Sequence, residues 1–314
     1  MITEAKHQLF RPGSVPTAEC PQRSVFFCVG GFKHSFLCAV ASLAVLAVAG
    51  CKSVNLQSVK QRAEAGDPKA QCELADMYLK GQVLPKDPAE AVKWLRKASD
   101  QGNALAQYNL GVSYANGDGV PKDEAEAAKW YRKAADQGLA DAQSNLAILY
   151  LSGAGVPKDE AEAVRWLRKA ADQGLAVAQF NLGRRYYLGG GVPQDYEAAY
   201  NWWRKAAAQR LAEAEFSLGV VYRNGEGLTK DYAQAVGWFR KAAKQGYAPA
   251  EMMLGFLYAD GEGVPRDAVE AYVWFESAAA HGDSNALAAR KNLEAEMTPT
   301  QILEAQRRAA KLTR

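Results

Sequence analysis

Residues 104–138 read ALAQYNLGVSYANGDGVPKDEAEAAKWYRKAADQG, and this stretch decides the fold. Its first half places Ala106, Leu110 and Tyr114 four residues apart, on one face of a helix. Its second half, residues 124–134, has the same helical spacing of apolar side chains. The segment between them, residues 116–122, is rich in Gly and contains Pro, which indicates a turn. The stretch therefore predicts a helix–turn–helix unit.

This unit recurs at a fixed step of 36 residues. The tryptophans that keep the step are Trp94, Trp130, Trp166, Trp202, Trp238 and Trp274. The tyrosines that keep it are Tyr78, Tyr114, Tyr150, Tyr186, Tyr222 and Tyr258. A fixed period of this length is typical of stacked units that cannot bury their apolar faces alone. The register predicts an all-α solenoid with an extended binding surface rather than a compact enzyme.

The residues at the helix ends also repeat. An Asp precedes every second helix, and in five of the six units Glu or Gln follows three residues later, as in a capping box. Asp195 is followed by Ala198 instead, so we expect a weaker cap there. Gly closes the second helix in five units, whereas Arg210 stands at that position in the fourth. Because non-Gly residues avoid left-handed backbone, we expect that helix to end differently and the superhelix to change pitch nearby.

The pattern AQxxLGxxYxxGxGVPKDxxxAxxWxxKAAxxG resembles the Sel1-like repeat, a relative of the tetratricopeptide repeat. The resemblance covers residues 68–282 in six units. It implies a right-handed α/α superhelix whose first helices line a concave face. It also implies an adaptor role, since bacterial relatives bind proteins, help to assemble envelope or secretion complexes, or act at the host interface.

The amino-terminal residues have the marks of an export signal. Lys33 precedes an apolar stretch, residues 35–50, which ends in small residues directly before Cys51. These small residues resemble a lipobox, which implies cleavage before Cys51 and acylation of its thiol, for example with palmitate. The alternative is an uncleaved anchor, although about 15 apolar residues fall short of the roughly 20 that span a bilayer. The long segment before the apolar stretch makes the translation start at Met1 doubtful.

The predicted organisation has four parts. Residues 1–50 are the signal segment, and residues 51–67 form the lipid tether and an N-terminal cap helix. Residues 68–282 form the repeats, and residues 283–314 form the C-terminal capping helices. The resemblance to enteric lipoproteins, together with Lys52 rather than Asp after the lipid site, implies an outer-membrane anchor that faces the periplasm.

Little in the sequence points to chemistry. After residue 51 the chain has one histidine, His281, and one cysteine, Cys72, which do not form a zinc set. The Gly-x-Gly loops lie between helices and have no preceding strand, so we interpret them as turns rather than phosphate sites. A net charge of +3 gives no basic field for nucleic acid. We therefore predict a monomeric protein that is not an enzyme and has no cofactor, metal or nucleic-acid partner.

Specificity in a repeat scaffold is expected where the units differ at exposed positions. On the predicted concave face, Asn carboxamides suit a peptide backbone, and aromatic rings with Arg resemble interface hot spots. The candidate partner-binding residues are Tyr108, Asn109, Asn145, Phe180, Asn181, Arg184, Phe216, Arg223 and Phe256. The alternative for Phe180 and Phe216 is packing between adjacent repeats. The sequence thus favours a membrane-tethered protein-interaction scaffold of the bacterial envelope. A glycan- or peptidoglycan-binding protein is the alternative, and a hydrolase is the weaker third.

Overall fold

The computed structural model describes residues 56–312, so the predicted signal segment and Cys51 lie outside the described residues. The regular elements within residues 56–312 are all helices. None of these helices combines the length and the apolar character that a membrane span needs. The chain divides into two compact units, whose described residues are 56–170 and 171–312.

The helices follow the predicted pairs. Helix α1 covers residues 56–64. The first three repeats contain α2 (Pro68–Lys80) with α3 (Pro88–Asp100), α4 (Ala104–Asn116) with α5 (Glu124–Asp136), and α6 (Ala140–Ser152) with α7 (Glu160–Asp172). The next three contain α8 (Ala176–Leu188) with α9 (Tyr196–Ala208), α10 (Ala212–Asn224) with α11 (Tyr232–Ala243), and α12 (Ala248–Asp260) with α13 (Ala268–Ala280). Helices α14 (Ala286–Glu294) and α15 (Pro299–Leu312) follow the last repeat.

The tryptophans of the 36-residue register are not the centre of the core. Apart from Trp166, they are half-buried, and in five repeats a Lys ammonium lies 3.5–3.9 Å from the centre of the indole ring. The fully buried position is the residue after each register tryptophan. Its occupants are Leu95, Tyr131, Leu167, Trp203, Phe239 and Phe275, all 4% exposed or less. The register therefore marks the amphipathic edge of the second helix, and the core lies one residue further on.

The size of the core residue is matched by the first helix of the same repeat. Where the core residue is aromatic, the facing residue is Gly, as with Gly219 opposite Phe239. A Cβ on Gly219 would lie 2.5 Å from Phe239 Cε1. In the first and third repeats the core residue is Leu, and Ala75 and Ala147 stand in place of Gly. A large aromatic residue is therefore paired with Gly, and the smaller Leu is paired with Ala, so that the space between the two helices is filled in each repeat.

The Asp caps are confirmed, but the capping boxes are not. Asp87 Oδ1 accepts a hydrogen bond from Glu90 N at 3.0 Å, and the Asp residues of the other five repeats do the same at 2.9–3.0 Å. The backbone N–H of Asp87 donates to Tyr78 O at 3.0 Å, so it is already satisfied without Glu90. Asp195 accepts from Ala198 N at 2.9 Å, and the expectation of a weaker cap there is not met.

The second helix of the fourth repeat ends like the others, contrary to prediction. Arg210 adopts φ 63°, the same left-handed backbone that Gly102 and Gly246 adopt at the matching positions. The hydrogen bond from Arg210 N to Ala207 O, at 2.9 Å, matches the bond from Gly138 N to Ala135 O at 3.0 Å. The packing of the repeats therefore determines the left-handed backbone at this position, and Arg210 adopts it although it is not Gly. At the other end of the chain, Thr298 and Gln301 form the predicted capping box.

Candidate functional site

In the unit that contains residues 56–170, a groove of about 1110 Å³ runs along α2 and α4. Its apolar wall contains Leu105, Val112 and Leu139, and Leu105 is 51% exposed. Tyr108 and Asn109, two of the predicted binding residues, lie in the same wall. We name this feature, with those five residues as its wall, the α2–α4 groove. Its volume exceeds the roughly 300–1,000 Å³ of common small-molecule pockets, so it has room for a chain segment.

The charges at this groove balance. Lys69, Lys80 and Lys86 line it, as do Glu73, Asp76 and Asp118. Two of the carboxylates are already paired, because Asp76 lies 2.7 Å from Lys80 Nζ and Glu73 lies 2.9 Å from Arg62 Nη2. The groove therefore offers apolar surface and neutral hydrogen-bonding groups rather than a net charge.

Asn109 and Asn145 differ in what they contact. Asn109 is half-buried in the groove wall and its carboxamide has no hydrogen-bond partner among the described residues, so it is available to a ligand. Asn145 is hydrogen-bonded to the hydroxyl groups of Tyr108 and Tyr131, whose rings lie 5.8 Å apart. Burial raises the pKa of both tyrosines, and the Asn145 carboxamide opposes that rise. Asn145 therefore holds Tyr108 in place and is less free than predicted.

In the unit that contains residues 171–312, the three predicted phenylalanines are core residues. Phe180 is 6% exposed, and Phe216 and Phe256 are each 4% exposed. Phe180 and Phe216 each pack in a hydrophobic cluster of their own repeat and the next, and Phe256 packs in a cluster of its own repeat and the C-terminal helices. The expectation that these rings face a partner is therefore wrong, and the packing alternative is correct for Phe180 and Phe216. The ring of Phe216 lies 5.5 Å from that of Phe239, and the ring of Phe256 lies 5.2 Å from that of Phe275, so both pack against the core residue of the second helix.

The polar candidates in this unit remain accessible. Asn181 and Arg184 are half-buried, and neither has a hydrogen bond or an ion pair with the described residues. Burial, and then the charge of Arg185, lowers the pKa of the Arg184 guanidinium. Arg223 is different, because it lies 3.6 Å from the carboxylate of Glu262. Arg184 is thus the candidate cation that is open to an anionic group, whereas Arg223 is partly neutralised.

A series of buried hydrogen-bonded pairs, which we name the polar ladder, recurs from repeat to repeat and was not predicted from the sequence. In repeats one, two and four, a Gln near the start of the first helix donates to a backbone carbonyl eight residues earlier and accepts from a Gln at the end of the second helix. These pairs are Gln71 with Gln101 (2.9 Å), Gln107 with Gln137 (2.7 Å) and Gln179 with Gln209 (3.0 Å). The signal was the unbroken recurrence of Gln or Glu at this position in all six units.

The ladder changes chemistry in the last two repeats. Glu215 replaces the Gln and accepts from Gln245 at 2.7 Å, and burial raises the pKa of Glu215. Glu251, only 2% exposed, accepts from Ser277 Oγ at 2.8 Å and lies 2.9 Å from His281 Nδ1. His281 is therefore part of the ladder. Within residues 56–312, no three His, Cys, Asp or Glu side chains are grouped so that they could hold a metal ion.

Cys72 is a structural residue. It is 6% exposed, and its thiol donates to Asn103 Oδ1 at 3.6 Å. Burial, and then the charges of Glu73 and Asp67, raises its pKa to about 11. Because the thiolate is the reactive form, this thiol is poorly suited to nucleophilic chemistry at neutral pH.

Similarity to known proteins agrees with the repeat architecture. The Sel1 repeat family model matches residues 68–103, 104–139, 140–175, 176–211, 212–247 and 248–283. The secretory immunoglobulin A-binding protein EsiB of Escherichia coli O6:H1 (strain CFT073) is 40% identical over 55 residues, which are 18% of this chain and 11% of EsiB. This chain therefore spans only a small part of that relative.

Two solved structures resemble the protein. The first is c5321, a protective antigen of uropathogenic Escherichia coli strains that displays an SLR fold, with 39% identity, a TM-score of 0.73, and coverage of 82% of this chain and 56% of c5321. The second is a Sel1 repeat protein from Oxalobacter formigenes, with 38% identity, a TM-score of 0.64, and coverage of 69% of this chain and 89% of that one.

Proteins built from these repeats generally act as protein-interaction scaffolds and are typically not enzymes. The fold class is an all-α solenoid, and the matched repeats cover more than half of the sequence. The chain therefore belongs to the Sel1 repeat family.

Proposed function

We propose that this protein is a membrane-tethered protein-interaction scaffold of the bacterial cell envelope. In this proposal, the α2–α4 groove holds an extended segment of a protein partner. The observation that carries the proposal is the combination of exposed Leu105, half-buried Val112 and the unpartnered Asn109 carboxamide in one groove. Apolar surface supplies the free energy of binding, and the carboxamide both donates to and accepts from a peptide backbone.

The relatives support this class of function. The name of EsiB describes a protein that binds secretory immunoglobulin A, and c5321 is described as a protective antigen. By analogy, we place this protein where it meets other proteins, at the envelope. The lipobox-like residues before Cys51 supply the anchor, and acylation with more than one chain gives stable membrane binding. Outer-membrane placement facing the periplasm belongs to the same proposal.

Site-specific crosslinking tests the groove. A photoreactive residue at Leu105 should capture a partner in intact cells, whereas the same residue at Leu303, which is 50% exposed on α15, should not. Replacement of Asn109 by Ala in the Leu105 crosslinker variant should reduce the captured amount. Because the groove carries no net charge, capture should change little between low and moderate salt. Equal capture from both positions would contradict the proposed role of the groove.

Fractionation tests the anchor separately. Wild-type protein should remain with membranes and incorporate labelled palmitate, and Cys51→Ser should be released and unlabelled. Cys72→Ser is the matched control, because Cys72 lies within the repeats and should not affect membrane association. A Cys51→Ser protein that stays with the membrane and carries label would overturn the lipid anchor while leaving the groove proposal intact.

A further inference from the structure

Several residues depart from the repeat pattern between the fourth and fifth repeats, in the unit that contains residues 171–312. A cavity of about 500 Å³ is formed there by α9, the end of α10 and the loop before α11. Tyr200 and Tyr222 lie in its wall, and their hydroxyl oxygens are 2.8 Å apart. We name this feature the Tyr200–Tyr222 pocket.

The wall of this pocket differs from the same place in other repeats. Glu197 stands where four units have Ala and one has Val, and Asn201 stands where the first three units have Lys or Arg. Thr229 replaces a Pro that is present in every other unit, and Tyr200 replaces Val or Ala in all but one. Four departures from the repeat pattern thus converge on one cavity. Glu197, Tyr200 and Thr229 each add a hydrogen-bonding group, and Asn201 replaces a cation by a neutral donor and acceptor.

Three of these side chains are exposed to solvent and to the cavity. Glu197, Asn201 and Thr229 make no hydrogen bond or ion pair with any described residue. The other repeats show that smaller, apolar or cationic residues at these positions build the same helices. Polar groups that converge on a cavity and satisfy nothing within the protein are available for a ligand.

Tyr222 lacks a hydrogen bond that the matching Tyr makes in three other repeats. In three other repeats the register Tyr accepts a hydrogen bond from an Arg of the preceding second helix, as Tyr114 does from Arg96 at 2.6 Å. Here the matching Arg204 lies 5.8 Å from the centre of the Tyr200 ring and does not bond to Tyr222. The hydrogen bond with Tyr200, helped by burial, raises the pKa of Tyr222 to about 12. Within this pair one hydroxyl donates to the other, so the proton of the accepting hydroxyl remains for a ligand.

The wall carries charges of both signs, two carboxylates and one ammonium. Glu197 and Asp231 would oppose an anion, and Lys230, which lines the same wall, would oppose a cation. Asp231 is partly committed, because its Oδ1 accepts from Gln234 N at 2.9 Å. A neutral ligand with many hydroxyl groups can donate to the carboxylates and accept from the ammonium at once. The two half-buried phenol rings offer apolar surface to the C–H face of a sugar ring.

We propose that the Tyr200–Tyr222 pocket binds a neutral saccharide of one or two rings. The volume of about 500 Å³ lies within the usual range for small-molecule sites. A short peptide is less suitable, since Leu228 is the one aliphatic side chain in the wall and no further apolar subsite receives alternate side chains. This site is separate from the α2–α4 groove, so the two proposals stand or fall independently.

Saturation-transfer NMR on the full-length protein tests the site. The probes are neutral mono- and disaccharides of glucose, galactose, mannose and N-acetylglucosamine, with a neutral tripeptide and a lysine-containing tripeptide for comparison. We expect transfer to at least one saccharide and to neither peptide. The triple variant Glu197→Ala, Tyr200→Val, Asn201→Lys installs residues that other repeats carry, so it should unfold near the wild-type temperature. It should weaken saccharide binding by about tenfold or more.

Lys129→Asn is the matched control, because it exchanges the same two residue types at the matching position of the second repeat. It should leave saccharide binding unchanged. Absence of transfer to every saccharide, unchanged binding in a folded triple variant, or transfer to a peptide that the triple variant abolishes would each overturn the proposal.

Discussion

Replacement of Gly219 by Ala tests the packing rule that connects the two helices of each repeat. A Cβ at this position would lie 2.5 Å from Cε1 and 2.6 Å from Cδ1 of Phe239. Carbon atoms pack best at about 3.5–4.0 Å, so the ring would have to move by about an ångström. Phe239 is fully buried and its ring centre lies 5.5 Å from that of Phe216, which blocks such a movement.

The expected magnitude follows from two opposed effects. Ala stabilises a helix interior by roughly 0.5–1 kcal/mol relative to Gly. Overpacking of a well-packed core costs about 1–3 kcal/mol. We therefore expect Gly219→Ala to reduce the free energy of unfolding by about 1–2 kcal/mol. Gly237→Ala, on α11 of the same repeat, is the control, because no heavy atom lies within 4 Å of its added Cβ and it should stabilise the protein.

A second substitution makes the test specific. Phe239→Leu recreates the Ala–Leu pair that the first and third repeats carry as Ala75 with Leu95 and Ala147 with Leu167. In a double-mutant cycle, residues in contact show coupling of about 0.5–3 kcal/mol, and here the sign should favour the double variant. Urea unfolding followed by circular dichroism measures all four proteins. Coupling near zero, or a Gly219→Ala variant as stable as Gly237→Ala, would refute the reasoning.

Three further substitutions test the backbone and the polar ladder, each by thermal or urea unfolding. Arg210→Gly should stabilise the protein by about 0.5–1 kcal/mol, because it relieves a non-Gly left-handed residue at φ 63°; an unchanged midpoint would contradict this. His281→Ala should destabilise the protein by about 1–3 kcal/mol, since it removes a hydrogen-bond partner from buried Glu251. His281→Gln should destabilise it less, because Gln245 donates to Glu215 from the matching position. Equal losses of stability would count against the ladder. Glu215→Gln should stabilise by about 1 kcal/mol at neutral pH, where the new amide can reach a backbone carbonyl as Gln179 does. Because the folded-state pKa of Glu215 is raised, its contribution to the free energy of unfolding is fully present below the unfolded-state pKa and is lost as pH rises through the folded-state pKa. The stability gained from Glu215→Gln should therefore shrink on acidification. A gain that grows at low pH would contradict the raised pKa.

The repeat boundaries were readable because each carries several independent signals. Asp123, Gly117 and Gly138 occupy positions whose backbone demands are local, and local demands can be inferred from one sequence. The regular step also suggests that the register tryptophans are the buried residues, which the structure contradicts for all but Trp166. Trp130 and Tyr131 are adjacent, and helical periodicity alone cannot decide which of two neighbouring apolar residues points inward. The structure shows that the ring of Tyr131 faces Gly111, as the larger ring of Trp203 faces Gly183.

The candidate binding residues separate along similar lines. Tyr108 and Asn109 were predicted from exposed variation and do lie in a groove. Phe180 and Phe216 occupy the same repeat position as Tyr108 and were predicted by the same argument, yet both are buried. Variation between units therefore does not by itself show that a position is exposed. The irregular repeat pattern around Arg210 and Thr229 pointed to this part of the chain as a binding patch or hinge. The Tyr200–Tyr222 pocket itself was not predicted, because its wall combines the second helix of one repeat with the loop of the next. Such a site becomes visible only when the stacking of successive units is known.

A chain of six similar units carries its own comparison, and that comparison separates two kinds of departure from the pattern. Gly219 departs together with Phe239, and the two changes compensate each other in one core. Glu197 and Asn201 depart without any partner inside the described residues, although the fold tolerates other residues at both positions. A compensated departure is explained by packing. An uncompensated one at an exposed position is not explained by packing, so binding of an external ligand is the hypothesis to test there.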